Sequence, residues 1–301
     1  MDILLALGGG GSKGNAHIGV LKVLEREGYR VRAVAGTSAG GMAASAYAAG
    51  YGPDLLEAHM KGVDQRSLFG FHFGDEPAIL GISGVAKAMK DLLGERTFDD
   101  LKIPCALTAV DVDSGQEMVL REGRVLDAVL ATVAIPGIFP PKRWGSRLLV
   151  DGGVLNPVPV SVVREISPQP GLPVVAVTLT SAPSERGRLP ALGPKAAEVL
   201  LARITRLKVA QAFEIFLHSL EIGMSAITEM RLDIDQPEVI VRPAVGKIGY
   251  LDKVDVSEVV NLGEDAMEAA LPELRRALSW RGRVSRWLKP RPGTDHSYFV
   301  E

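Results

Sequence analysis

Short apolar runs that end in glycine, each followed by a stretch of helical period, fill the first part of the chain. Ile3 to Leu7 is one such run, opened by Asp2 and emptying into Gly8-Gly9-Gly10-Gly11-Ser12-Lys13-Gly14. Its length and its turn-forming flank predict a strand buried on both faces. From Asn15 onward Ile18, Val20, Leu21 and Leu24 recur at helical spacing, with Glu25, Arg26 and Glu27 off the stripe and Gly28 as a C-terminal stop. Val31 to Ala35 repeats the strand pattern and runs into Gly36-Thr37-Ser38-Ala39-Gly40. The helix predicted next, from Ala39 to about Ala49, is built from Ala, Gly, Met, Ser and Tyr, so most of its side chains are small enough to pack closely on a sheet.

Two strand-turn-helix units in succession predict an α/β fold of three layers, α/β/α, with a mostly parallel central sheet. Further buried strands are expected over Pro104 to Asp111, Arg147 to Val150, Pro173 to Leu179 and Val239 to Arg242. Helices are expected to end near Val63, to start near Ser83, and to cover about Lys195 to Met230 and Asp255 to Leu278. The turn-rich segment Ala182 to Pro190 reads as a surface excursion. One α/β domain over 1–271 is expected, its motif-bearing core at 3–160, followed by a basic tail over 272–301.

The chain has 301 residues, 47% of them hydrophobic and 23% charged, with a mean hydropathy of +0.15, which is enough apolar material for a large core. A formal net charge of -2 gives no overall field for nucleic acid, and no nucleic-acid partner is expected. The single cysteine, Cys105, excludes an internal disulfide and lies in an apolar strand-like run, where a buried structural thiol is expected. No signal peptide is recognisable, and no apolar stretch reaches the ~18 residues of a spanning helix. A cytoplasmic location is expected, with any membrane contact at the surface.

The glycine loop offers a row of backbone N–H groups at a helix start, which receives an oxyanion as readily as a phosphate. Gly9 to Gly14 fits G-x-G-x-x-G, but the acid that a dinucleotide fold needs about 20 residues on is replaced by Gly36-Thr37-Ser38. The other phosphate loop fails too, because Lys13 precedes Gly14. Gly36 to Gly40 matches G-x-S-x-G, a strand-to-helix elbow that lifts a serine hydroxyl above the sheet. Its glycines are expected wherever a Cβ would strike a neighbouring strand or helix.

A nucleophilic serine needs a base. His17, His59, His72, His218 and His296 lie in helices, between phenylalanines or in the tail, and read as packing or surface histidines. Asp151 is the best candidate, since it ends the apolar run Leu148-Leu149-Val150 and precedes Gly152-Gly153, at the sheet edge that the first two loops share. Taken alone, Asp-Gly is also a common turn.

In this order, Gly9 to Gly14, Gly36 to Gly40 and Asp151-Gly152-Gly153 resemble the three motifs of the patatin-like phospholipase family. Ala16-His17-Ile18-Gly19-Val20-Leu21 and Ala134-Ile135-Pro136-Gly137-Ile138-Phe139-Pro140-Pro141 extend the resemblance. It implies a serine-aspartate dyad without histidine, with Ser38 acylated, Asp151 taking its proton, and the N–H groups of Gly9, Gly10 and Gly11 holding the oxyanion. Lys13, Gly14, Gly36, Gly40, Gly152 and Gly153 would support that site, and no metal or organic cofactor is implied. Lys13 stands where the family usually has arginine, which keeps the charge and loses the planar fork. An aspartate with an ordinary pKa of ~3.9 is a weak base at neutral pH. Shielding by Val150 and the glycines is therefore expected to raise that of Asp151.

Phe69, Phe71 and Phe73 sit in a glycine-spaced connection and read either as a rim over an acyl chain or as a core corner. In the tail, seven cations face Glu273 alone, and Trp280, Arg283 and Trp287 are either a contact with an anionic membrane or a solvated helix end. The expected function is a serine esterase cleaving acyl esters of phospholipids or lysophospholipids. A lipid-binding module with little turnover is the alternative, and a nucleotide-dependent oxidoreductase is opposed by the missing acid.

Overall fold

The computed structural model describes residues 1–68, 70–71, 80–180, 201–280 and 282. In chain order the elements are β1 (Asp2–Leu7), α1 (Ala16–Arg26), β2 (Arg30–Gly36), α2 (Ala39–Ala48), α3 (Pro53–Gly62) and α4 (Gln65–Leu68). Then come β3 (Gly70–Phe71), β4 (Leu80–Gly81), α5 (Ser83–Leu93), β5 (Cys105–Asp111), β6 (Gln116–Leu120) and α6 (Val125–Thr132). The chain continues with β7 (Lys142–Trp144), β8 (Arg147–Asp151), α7 (Val160–Glu165), β9 (Val174–Val177), α8 (Leu201–Asp235), β10 (Val239–Val241) and α9 (Val256–Leu278).

Among the described residues, eight strands make the central sheet in the order β10-β9-β1-β2-β5-β8-β7, with β6 also paired to β5. The ladders from β10 to β5 are parallel, while β6 and β8 run antiparallel to β5, and β7 antiparallel to β8. The strands of the parallel half, and β8 beside it, are the ones that read as continuous apolar runs. Strands β6 and β7 carry Gln116, Glu117, Lys142 and Arg143, so their alternation gives no such run and the antiparallel edge was not anticipated.

One face of the sheet is covered by α1, α2, α5, α6 and α9 over the larger core, and the other by α7 with Leu232 of α8. Helices α1 and α9 approach until side chains are excluded. A Cβ on Gly19 would lie 2.0 Å from the Val260 carbonyl oxygen, and one on Gly263 would lie 1.9 Å from that of Ala16. Only glycine permits that contact. Helix α9 continues through Pro272 to Leu278, with Leu274 fully buried, so the boundary drawn at 271 falls inside a packed helix. Cys105 is a free, buried thiol whose pKa burial pushes up.

Candidate active site

Parallel strands deliver their C-terminal ends to one sheet edge, and β1 and β2 deliver the two glycine-bearing turns there. The first turn is pinned by backbone bonds from several directions. Gly8 N–H donates to the Val177 carbonyl at 2.9 Å, Gly9 N–H to that of Pro157 at 3.0 Å, and Ser12 N–H to that of Tyr250 at 2.9 Å. His17, fully buried, lies with Nε2 2.8 Å from the Gly8 carbonyl oxygen. Burial holds the His17 pKa down at about 4, against the pull of that bond, so at neutral pH the neutral ring donates from Nε2. Gly9 therefore has no N–H left to offer, which corrects the expectation of three oxyanion donors. Among the described residues, those of Gly10 and Gly11 have no acceptor.

Ser38 follows β2 with φ 54 and ψ -124, a left-handed conformation rare for a residue with a side chain. Its N–H donates to Thr132 Oγ1 at 2.8 Å, which ties the elbow to α6. A Cβ on Gly36 would stand 2.3 Å from the Gly40 carbonyl oxygen, and one on Gly40 would stand 2.1 Å from that of Leu7. Both flanking glycines are therefore dictated by contact. Gly14 abuts Ala39, which brings the end of the first turn against the start of α2.

Asp151 ends β8 opposite Ala109 of β5 and is 3% exposed. Its Oδ1 accepts from Gly153 N–H at 2.7 Å, while Oδ2 is buried with no partner in hydrogen-bond geometry among the described residues. Gly152 packs under Thr108. Burial drives the Asp151 pKa up to about 7, opposed by the Ser38 hydroxyl and then by the Gly153 N–H. The Ser38 hydroxyl thus acts on the carboxyl without closing onto Oδ2 in hydrogen-bond geometry. Val150 is not what shields it: strand alternation turns that side chain to the opposite face, and it is only half-buried.

The shield comes from α8. A Cβ built on Gly153 would meet the Met224 methyl at 2.4 Å, and one on Gly9 would lie 3.7 Å from it, so this side chain bridges the first turn and the aspartate turn. Tyr250 donates its hydroxyl to Met224 Sδ at 3.6 Å. Beside them Lys13, 1% exposed, pairs with Glu221 of α8 at 2.5 Å and lies 5.1 Å from the centre of the Tyr250 ring.

A cavity of about 400 Å³ opens from Ser38 and Ser12 between α2, α3 and α5. Met42, Leu56, Met60, Leu68 and Met89 make most of it apolar, and its size suits one acyl chain or a comparably small ligand. No group of three or more His, Cys, Asp or Glu residues suited to a metal stands together among the described residues. Phe69, Phe73, Arg283 and Trp287 lie outside the described residues, and of Phe71 only the backbone pairing of β3 with β4 is described. Trp280, at the end of the described tail, is exposed.

The family model for patatin-like phospholipases matches residues 5–164, from β1 through α7. The chain belongs to the patatin-like phospholipase family. Among curated relatives of this patatin-like chain, the uncharacterized NTE family protein Rv1063c of Mycobacterium tuberculosis is 33% identical over 167 residues, covering 55% of this chain and 46% of the relative. A second from the same organism, Rv2565, is 29% identical over 280 residues, covering 90% and 47%. The uncharacterized protein YqhO of Bacillus subtilis is 34% identical over 212 residues, covering 60% and 71%. The chain spans about half the length of the mycobacterial relatives it matches. The crystal structure of VipD from Legionella pneumophila matches with a TM-score of 0.55 at 14% identity, covering 90% of this chain and 66% of VipD, a likeness of fold.

Family motifs led to Ser38, Asp151 and the turn glycines. They did not lead to Met224, Tyr250 and Glu221, which come from α8 and the segment after β10, outside the matched range. The only signal for a partner on α8 was Lys13 itself, a cation embedded in glycines ahead of a buried helix.

Proposed function

We propose that this protein is a serine hydrolase of lipid acyl esters, phospholipids or lysophospholipids, working through Ser38 and Asp151 by way of an acyl-enzyme. The observation that carries this reading is a strained serine beside a buried carboxyl whose pKa is raised to about 7, at the mouth of an apolar cavity. Family membership supports lipid ester hydrolysis in general.

Ser38 Oγ attacks the ester carbonyl carbon as its proton passes to Asp151, and the N–H groups of Gly10 and Gly11 receive the developing oxyanion. Collapse breaks the bond to the alcohol, which leaves with the proton from Asp151. Water then attacks the acyl-serine, again yielding a proton to Asp151, and releases the acid with Ser38 restored. With a pKa near neutrality, Asp151 serves as both base and acid. The cavity holds the acyl chain through Met42, Leu56 and Met60.

The test is hydrolysis of p-nitrophenyl esters of increasing chain length by wild type and by folded Ser38→Ala and Asp151→Asn variants. The reading predicts turnover that rises with chain length and is lost in both variants. A folded wild type without turnover on any ester would favour a lipid-binding module instead.

A further inference from the structure

From Ile215 to Ile234, helix α8 carries large apolar side chains outward as well as inward. Its charged residues Glu221, Glu229 and Arg231 face inward and pair with Lys13, Arg242 and Glu117. Its outward side carries Ile215, Phe216, Ile222, Met230 and Ile234, which are 56, 43, 52, 63 and 55% exposed. At ~3.6 residues per turn these five fall within about a third of the circumference, along roughly 28 Å of axis. Ser219, Gly223 and Ala226 fill the same side without charge, and the Ser219 hydroxyl is satisfied by the Ile215 carbonyl oxygen at 2.8 Å. Asp233 is the one charged side chain of that face from Ile215 to Ile234. No helix among the described residues is long and apolar enough to cross a membrane.

We propose that this face of α8 seats the protein on the surface of a lipid aggregate, its apolar side chains entering between acyl chains while the inward face stays on the dyad. Charge speaks for this occupant, because the face has no cation to gather anionic headgroups and suits a zwitterionic surface. Its near absence of free hydrogen-bonding groups is unlike a protein interface, which carries about one hydrogen bond per 100–200 Å². Five half-exposed side chains present roughly 500 Å², a functional patch by size, yet short of the ~800 Å² per partner of a standard-size protein interface. Position agrees: Leu217 and Leu220 on the adjoining side pack against Ile135, Ile138 and Phe139, and Ile135 and Phe139 line the cavity of Ser38. A lipid drawn from the aggregate therefore meets the cavity beside the docking helix. This inference rests on the lipid-ester reading for its choice of occupant and assigns the docking to α8, apart from the basic tail.

The experiment is flotation of the full chain carrying Ser38→Ala with phosphatidylcholine vesicles, in low salt and in high salt, against an Ile222→Asp/Met230→Asp double variant and an Ile234→Asp single variant. Binding by the parent that survives high salt is expected, with a drop of about tenfold or more in the double variant and a smaller drop in the single one. In the background with Ser38 intact, the double variant should hydrolyse a soluble short-chain p-nitrophenyl ester at the wild-type rate. Absence of parent binding, or binding by both variants equal to the parent's, overturns the proposal. So does a concentration-dependent dimer of the parent, abolished in the double variant, that floats no better than the double variant itself. Loss of soluble-ester turnover in wild type would refute the hydrolase reading while leaving the flotation result to stand by itself.

Discussion

Replacing Asp151 with asparagine separates what the carboxyl does for chemistry from what it costs the fold. Burial moves its pKa from 3.8 to about 7. A change of that size makes the ionised form roughly 4 kcal/mol more expensive in the folded protein than in the unfolded chain. Between those two pH values the folded state binds more protons than the unfolded state. The stability contributed by the neutral acid is therefore fully present below about pH 3.8 and lost as the pH rises through about 7. Asparagine keeps the shape and an oxygen for the Gly153 N–H, and it never ionises. Asp151→Asn should exceed wild type in stability at pH 8, by up to roughly 4 kcal/mol, and converge with it near pH 4. Urea unfolding of both proteins at the two pH values measures the difference. The same substitution should abolish turnover, and wild-type kcat/KM should climb about tenfold per pH unit below 7 and level off above it. A variant no more stable than wild type at pH 8, or a difference independent of pH, would refute the claim that Asp151 is held in a desolvated site.

Ser38→Gly should remove the strain of a left-handed serine, of order 1–3 kcal/mol less the flexibility that glycine adds, and gain about 1 kcal/mol in urea unfolding while losing activity. Gly40→Ala, by contrast, forces a methyl onto the Leu7 carbonyl and should cost more than about 3 kcal/mol or prevent folding, as thermal denaturation would register. Glu221→Gln leaves Lys13 buried without its counter-charge and should cost about 3 kcal/mol in urea unfolding, more than Lys13→Met does. His17 should stay neutral at pH 6, which its imidazole nitrogen shifts in NMR would register. Because its folded pKa is held down at about 4, its contribution to stability is present above the ordinary 6.5 and lost as the pH falls toward 4.

What could be read from the sequence is what local chemistry dictates. Continuous apolar runs placed β1, β2, β5 and β9 within a few residues, and the G-x-S-x-G pattern marked the elbow, where the fold shows that a Cβ on Gly36 or Gly40 would strike the Gly40 or Leu7 carbonyl. Asp151 stood out as a charge at the end of an apolar strand. The parts missed depend on contacts across long separations. Met224 and Glu221 come from α8, some 200 residues after the loop they cover, and Glu221, Glu229 and Arg231 of α8 turn inward while Ile222 and Met230 turn outward, so its pattern gives no clue to which side is buried. Gly9 was expected to offer its N–H and instead gives it to Pro157, a bond that only the folded chain brings about. Val150 was credited with shielding that its place on the strand turns away.

The central claim is that Ser38 is a nucleophile activated by Asp151, and labelling with a fluorophosphonate probe at pH 8, followed by peptide mapping, tests it most directly. The account predicts one adduct, on Ser38, in wild type, and its loss in a folded Asp151→Asn protein. A folded wild type that stays unlabelled, an adduct on another residue, or undiminished labelling without the carboxylate would contradict it.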